Sequence, residues 1–303
     1  MGVTDVGVGA QPGPQYDAST PARRPSRARH ALAELSRHPN LAVGSLLAAL
    51  VVIVAIVGRI AAPYNPLAIN AGRALLPPGA SHWFGTDEFG RDVFSRVVYG
   101  TGIDLLIGLV VAALALVVGS VIGLISGYVG GWIDDIIMRI VDIVMSFPSF
   151  LLALSIAVVI GNTVRNVIIA VTIAYIPYIL RLTRSSVLTV RGADYVLGAR
   201  AAGALRSRVM ALHVLPNAAG PPLVQATLMS GWAILDVSGL SFLGVGIQPP
   251  SPELGVQVAQ GASYITSGQW WISVFPGVAI ILAVLAFNFL GDYADDKLRG
   301  QGS

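Results

Sequence analysis

Residues 181–222 read RLTRSSVLTVRGADYVLGARAAGALRSRVMALHVLPNAAGPP, the one long polar island in the later half of a very apolar chain. Here Arg181, Arg184, Arg191, Arg200, Arg206 and Arg208 stand against a single acid, Asp194. Ala, Leu, Val and Arg dominate the island, and most of these are good helix formers. Tyr195, Val196, Ala199 and Ala202 recur at spacings that place them near one helix face. Gly203 interrupts the pattern, Met210, Leu212, Val214 and Leu215 resume it, and Pro216 stops it. The island therefore predicts two short helices bent at Gly203 and lying against a membrane. Its plainest use would be a basic juxtamembrane segment that fixes orientation and touches anionic lipid.

The rest of the chain supplies that membrane context. Charged residues are 12% and hydrophobic residues 54% of 303, with mean hydropathy +0.73. A soluble chain carries about 25% charge, and apolar runs of about 20 residues can cross a bilayer as helices. Working outward from the island, six spans are expected, at about 41–62, 103–129, 135–160, 164–182, 223–247 and 270–290. Gly108, Gly119, Gly123 and Gly127 place the second span inside the bundle, because small residues four apart let helices approach. Pro148 should kink the third span. Trp270 and Trp271 fall where an aromatic belt would sit.

Residues 1–26 have no apolar periodicity and predict disorder. No apolar core follows a short basic start, so no signal peptide is expected. The cluster Arg23, Arg24, Arg27, Arg29 and Arg37 follows, with a short amphipathic helix around 28–37. These arginines, Arg139, the island, Lys297 and Arg299 fall on one side. Arg59, Arg73, Arg91, Arg96 and Arg165 fall on the other. The positive-inside rule then puts both termini and the island in the cytoplasm. The expected divisions are a basic tail (1–38), a first span with an external loop and interfacial helix (39–102), a core of five spans (103–292) and a cytoplasmic tail (293–303).

Several stretches resemble one family. Gly203, Leu215 and Pro216 have the spacing of the coupling-loop motif of ABC-importer permeases, and Ala199 matches its second alanine. The motif's Glu falls on Leu197, its first Ala on Gly198 and its Ile on His213. Gly85-Thr86-Asp87, Gly90-Arg91-Asp92, Ser95-Arg96 and Tyr99-Gly100 resemble the segment before the second span in the dipeptide and oligopeptide permease branch. So do Leu240 to Gly244, Gln248-Pro249-Pro250 and Phe287 to Asp292. The resemblance implies an all-α membrane protein of six transmembrane helices, with the type I ABC importer fold and a cytoplasmic coupling helix within 183–220. It also implies a heterodimer with a second homologous permease, two ABC ATPase subunits that bind ATP and Mg, and an extracytoplasmic binding protein, in a bacterial plasma membrane. Within it, Asp194, Tyr195, Ala199, Arg200, Gly203, Leu215 and Pro216 would meet an ATPase. Asp87, Glu88, Arg91 and Asp92 would shape the external entrance.

Residue chemistry sets independent limits. There is no Cys, which excludes disulfides and zinc thiolates. Lys297 is the only lysine, so no Walker-type phosphate loop exists. No catalytic constellation is visible, and His30, His38, His82 and His213 are isolated. The pI of 9.4 does not imply nucleic acid, because the arginines sit beside spans. Asp236 lies in the middle of the fifth span, where an ionisable group is a functional candidate. It could attract a peptide's ammonium group, or bond to Ser230, Ser238 or Trp232. Peptide import is the main expectation. Nickel or glutathione import by the same branch, or a stand-alone secondary transporter, are the alternatives.

Overall fold

A computed structural model describes Gly2 and residues 39–300, and all that follows concerns the unit His38–Ser303. The expected disordered tail and the helix around 28–37 lie outside the described residues. The chain is helical. Its one described β feature is an isolated bridge between Thr86 and Asp92.

α1 (Pro39–Ala61) is followed by a non-helical segment containing a single 3-10 turn at Ala71–Arg73. α2 (Val93–Val129) then runs 37 residues without a break. At 1.5 Å per residue it is about 55 Å long, well beyond a hydrocarbon core of about 30 Å. The expected interfacial helix and second span are thus one helix. Asp92 starts it by accepting the Ser95 N–H, and nothing between Val93 and Ile103 breaks it.

α2 is the central helix of the bundle, as its glycines suggest. A Cβ on Gly119 would stand 2.8 Å from the Ile179 Cβ, and one on Gly123 would stand 2.5 Å from the Leu180 carbonyl. Lipid tails are as apolar as Leu, so close packing rather than water exclusion holds such helices together. The partner is α5 (Val164–Val190), eight residues longer than the expected span. Thr163 caps it, and Pro177 lies buried inside it without ending it. Val167, Val171, Ala174, Tyr175 and Ile179 of α5 join Val111 and Ala115 of α2 in the main core.

The third span is not one kinked helix. α3 (Gly131–Met145) and α4 (Ser149–Ile160) meet at 88°. Pro148 has no N–H to give and pushes Phe147 out of helical backbone, so α3 stops and α4 begins afresh. Among the described residues, five helices are long and apolar enough to cross a membrane, or six if the bent pair is one span.

The island forms α6 (Asp194–Ala201), α7 (Arg206–Val209), a π turn at Met210–Val214, and α8 (Leu215–Ala218). Pro216 does not stop the pattern as its chemistry suggests. The backbone widens into the π turn just before it, and Pro216 sits in the first turn of the next helix, where a missing N–H costs little. α9 (Gly220–Phe242) follows after one residue. α10 (Leu254–Ala262) and α11 (Trp271–Gly300) complete the chain. α10 folds the expected outer loop back onto the start of α2, where Gln257 donates to the Arg96 carbonyl at 3.0 Å.

Candidate functional site

Three regions hold the residues singled out by sequence. The first is the island, at the C-terminal end of α2. Val196, Val209, Val214 and Ala218 are buried against Leu124 of α2 and Val187 of α5. They anchor the α6–α8 segment to the ends of two spans. Ala199 and Leu215 are half-buried on the same cluster, whereas Asp194, Tyr195, Arg200 and Pro216 are exposed. The face expected from spacing is therefore rotated: Val196 and Ala199 point inward, while Tyr195 and Ala202 do not.

Gly203 sits at the bend with φ +81°. Its N–H donates to the Arg200 carbonyl at 3.0 Å, and the Ala204 N–H donates to the Ala199 carbonyl at 3.2 Å. This reciprocal pair is the Schellman ending of a helix, which needs a left-handed residue at the position of Gly203. A Cβ there would meet nothing within 4 Å. Within this chain the glycine answers to backbone conformation, not to crowding.

Spacing alone missed the surface this arrangement presents. Tyr195, Leu197, Leu205 and Leu212 are exposed on α6–α8, Leu205 by 74%. Their signal was the run of apolar residues left over once one helix face had been assigned to the membrane.

The second region, at the other end of α2, gathers the residues expected at an entrance. Asp87 accepts from the Phe89 and Arg91 N–H groups at 2.9 Å and from Arg91 Nε at 2.7 Å. Arg96 Nε lies 3.5 Å from the same carboxylate. Arg91 and Arg96 both donate to Gln260 of α10. Asp92 caps α2 and lies 2.9 Å from His82 Nδ1. Asp87, Arg91, Arg96 and Asp92 are all at most 3% exposed. Their polar groups are spent on one another, not offered outward, and they lock residues 64–96 to α10. Glu88 alone keeps some access. Burial raises its carboxyl above the usual range, with Asp87 adding to the effect and Arg91 opposing it. Trp271 is buried too, not in a belt, and donates to the Thr86 carbonyl at 3.2 Å. Glu253 caps α10 through the Gly255 and Val256 N–H groups, and burial pushes its carboxyl up as well.

The third region surrounds Asp236 on α9. Its partner is none of the three expected groups. Tyr175 of α5 donates its hydroxyl to Asp236 Oδ2 at 2.8 Å. One helix turn cannot show which neighbouring helix supplies a partner, which is why the sequence missed it. Asp236 is half-buried, and Trp232 and Leu235 beside it are exposed. No group of three or more metal-ligating side chains occurs among the described residues.

Comparison with known proteins shows the family. Residues 119–300 match the family described as the inner membrane component of binding-protein-dependent transport systems. The chain is 45% identical over 268 residues to the dipeptide transport system permease protein DppC of Escherichia coli, covering 86% of this chain and 89% of that one. It is 39% identical over 287 residues to the protein of the same name in Alkalihalophilus pseudofirmus, covering 95% and 92%. A probable D,D-dipeptide transport system permease protein of Escherichia coli is 43% identical over 264 residues, covering 87% and 88%.

Proposed function

Because the chain belongs to the family of binding-protein-dependent transport system inner membrane components, we propose that it is the permease subunit of an ATP-driven importer of di- and oligopeptides. It forms one half of a channel, and a second, homologous permease supplies the other half. The names of its relatives favour a peptide as substrate. Two ABC ATPase subunits bind ATP and Mg, and an extracytoplasmic binding protein delivers the substrate. The chain itself is not the hydrolase, since no phosphate loop can be built around Lys297.

The observation that carries this reading is the α6–α8 segment. It is anchored by Val196, Val209 and Val214 and displays Tyr195, Leu197, Leu205 and Leu212. A stiff, anchored pair of helices with exposed apolar side chains suits docking onto an ATPase whose closure must be passed to the spans. Asp236 supports a second permease. A carboxylate half-exposed beside Trp232 in mid-span is costly against lipid, so protein or a watery path covers that face. The test is reconstitution in vesicles with the partner subunits and binding protein. Peptide uptake should require ATP hydrolysis, and this chain alone should hydrolyse none. Uptake by the chain alone, driven by an ion gradient, would establish a secondary transporter instead.

We place the α6–α8 end in the cytoplasm and the 62–92 end outside, following the arginine distribution. Trp83 is 58% exposed and is a better probe position than the partly buried Glu88. Trp83→Cys in this Cys-free chain should react with a membrane-impermeant thiol reagent on intact cells. Reaction only after lysis reverses the orientation.

Asp236 is assigned to the pathway, steadied by Tyr175. Asp236→Asn keeps an acceptor for the Tyr175 hydroxyl and removes the charge. Membrane abundance should be unchanged, while KM for peptide uptake rises about tenfold, the effect of losing roughly 1.4 kcal/mol of charge-assisted contact. An unchanged KM reduces Asp236 to a helix-to-helix bond.

A further inference from the structure

A cavity of about 390 Å³ opens where the C-terminal end of α2 meets the α6–α7 segment, lined by Tyr128, Val129, Arg191, Arg200, Arg206 and Met210 together with Gly192 and Leu197. Three arginines line it, and no acid does. Arg191 gives one N–H to the Gly127 carbonyl at 2.7 Å. The guanidiniums of Arg200 and Arg206 have no hydrogen bond or ion pair among the described residues. Asp134, which feels the Arg191 charge weakly, is already held by two nitrogens of the Arg184 guanidinium. The Tyr128 hydroxyl is buried and has no hydrogen-bond partner among the described residues. Such a set of donors asks for an oxyanion.

The surface beside the cavity says what carries that oxyanion. Val117, Val121, Ile125 and Val129 are all exposed. Four residues apart on α2, they form one aliphatic stripe that ends in the cavity at Val129. Trp132, 72% exposed, stands just beyond, at the level where aromatic side chains meet lipid headgroups. Cations above, a phenol at the rim and an aliphatic stripe below match an amphiphile with a phosphodiester head. Basic pockets between spans at the cytoplasmic boundary bind such heads.

We propose that this cavity binds the phosphate of an anionic phospholipid, with an acyl chain lying along the stripe from Val117 to Val129. A carboxylate from a docked protein would satisfy the arginines but leave the stripe unused. Free phosphate would do the same. Bound lipid would tie the end of α2 to α6 and α7, so the lipid composition of that leaflet bears on how firmly the α6–α8 segment is held.

The test uses the full chain, expressed with its partner subunits, in nanodiscs of phosphatidylcholine with or without phosphatidylglycerol. Phosphatidylglycerol retained after detergent extraction is measured by mass spectrometry. Arg200→Gln and Arg206→Gln should each weaken retention roughly fivefold, and the double variant by the product. Tyr128→Phe should lower it less. Arg208→Gln, an exposed arginine outside the cavity, should leave it unchanged. The single variants alter exposed side chains, so each can be read even if the double variant does not assemble. An equal fall with Arg208→Gln means diffuse surface charge and overturns the site. Unchanged retention in both single variants overturns it as well. Loss of ATPase subunits with retention intact makes the cavity a protein-docking site. Displacement of the lipid by millimolar inorganic phosphate makes it a free-anion site.

Discussion

Gly203→Ala is expected to cut peptide uptake about tenfold, and Gly203→Leu to do no more than slightly worse. Neither should change membrane abundance much. A residue with Cβ costs roughly 1–2 kcal/mol in the left-handed region, and 1.4 kcal/mol is a factor of ten. Crowding adds nothing, since a Cβ at Gly203 meets no atom within 4 Å. The φ of +81° carries the whole effect. Gly203→Asn should be the mildest of the three, because Asn tolerates that conformation. Each variant loosens the Schellman turn between α6 and α7 while Val196 and Val209 stay buried. The fault should therefore appear as weaker co-purification of the ATPases and lower uptake, not as failed insertion. Were Leu crippling and Ala harmless, steric approach by a partner, and not the turn, would explain the glycine. Full uptake in all three would end the coupling assignment for this segment.

Asp87→Ala should have the other large effect, on stability. It leaves Arg91 and Arg96, both at most 3% exposed, without the carboxylate they share, and frees two backbone N–H groups. Removing one partner of a buried ion pair costs about 3–5 kcal/mol, a large part of a total that is commonly 5–15 kcal/mol. Membrane abundance and melting temperature in detergent should both drop sharply. Asp87→Asn keeps the backbone acceptor and should fall between. Normal abundance of Asp87→Ala would show that the pair does not hold the 62–92 segment. Glu88→Gln is the contrast. The Glu88 carboxyl is raised in the folded chain, so its contribution favours the fold in acid and is lost as pH rises. Replacing it should flatten that pH dependence and leave abundance intact.

The class of protein and the position of its motif needed no tertiary information. Low charge, apolar runs of span length and the arginine pattern are one-dimensional properties, and they predicted six spans, five of which are single long helices among the described residues; Gly203 interrupting a helical pattern predicted the bend. The glycines at 119, 123 and 127 also placed α2 inside the bundle, because spacing along one helix determines what lies on one face, but that α5 is the helix they meet came only from the fold. What a residue meets across space was not legible. Asp87 and Arg91 read as external polar groups, yet they are buried, because α10 folds back over them, its Gln260 lying 169 residues beyond Arg91. Asp236 bonds Tyr175, a residue 61 positions away. The third span breaks by 88° where a kink was expected, since proline removes a hydrogen bond but the surrounding packing decides how far the freed chain swings. Van der Waals contact, burial and ion pairing depend on distance in space, and only the folded bundle sets those distances.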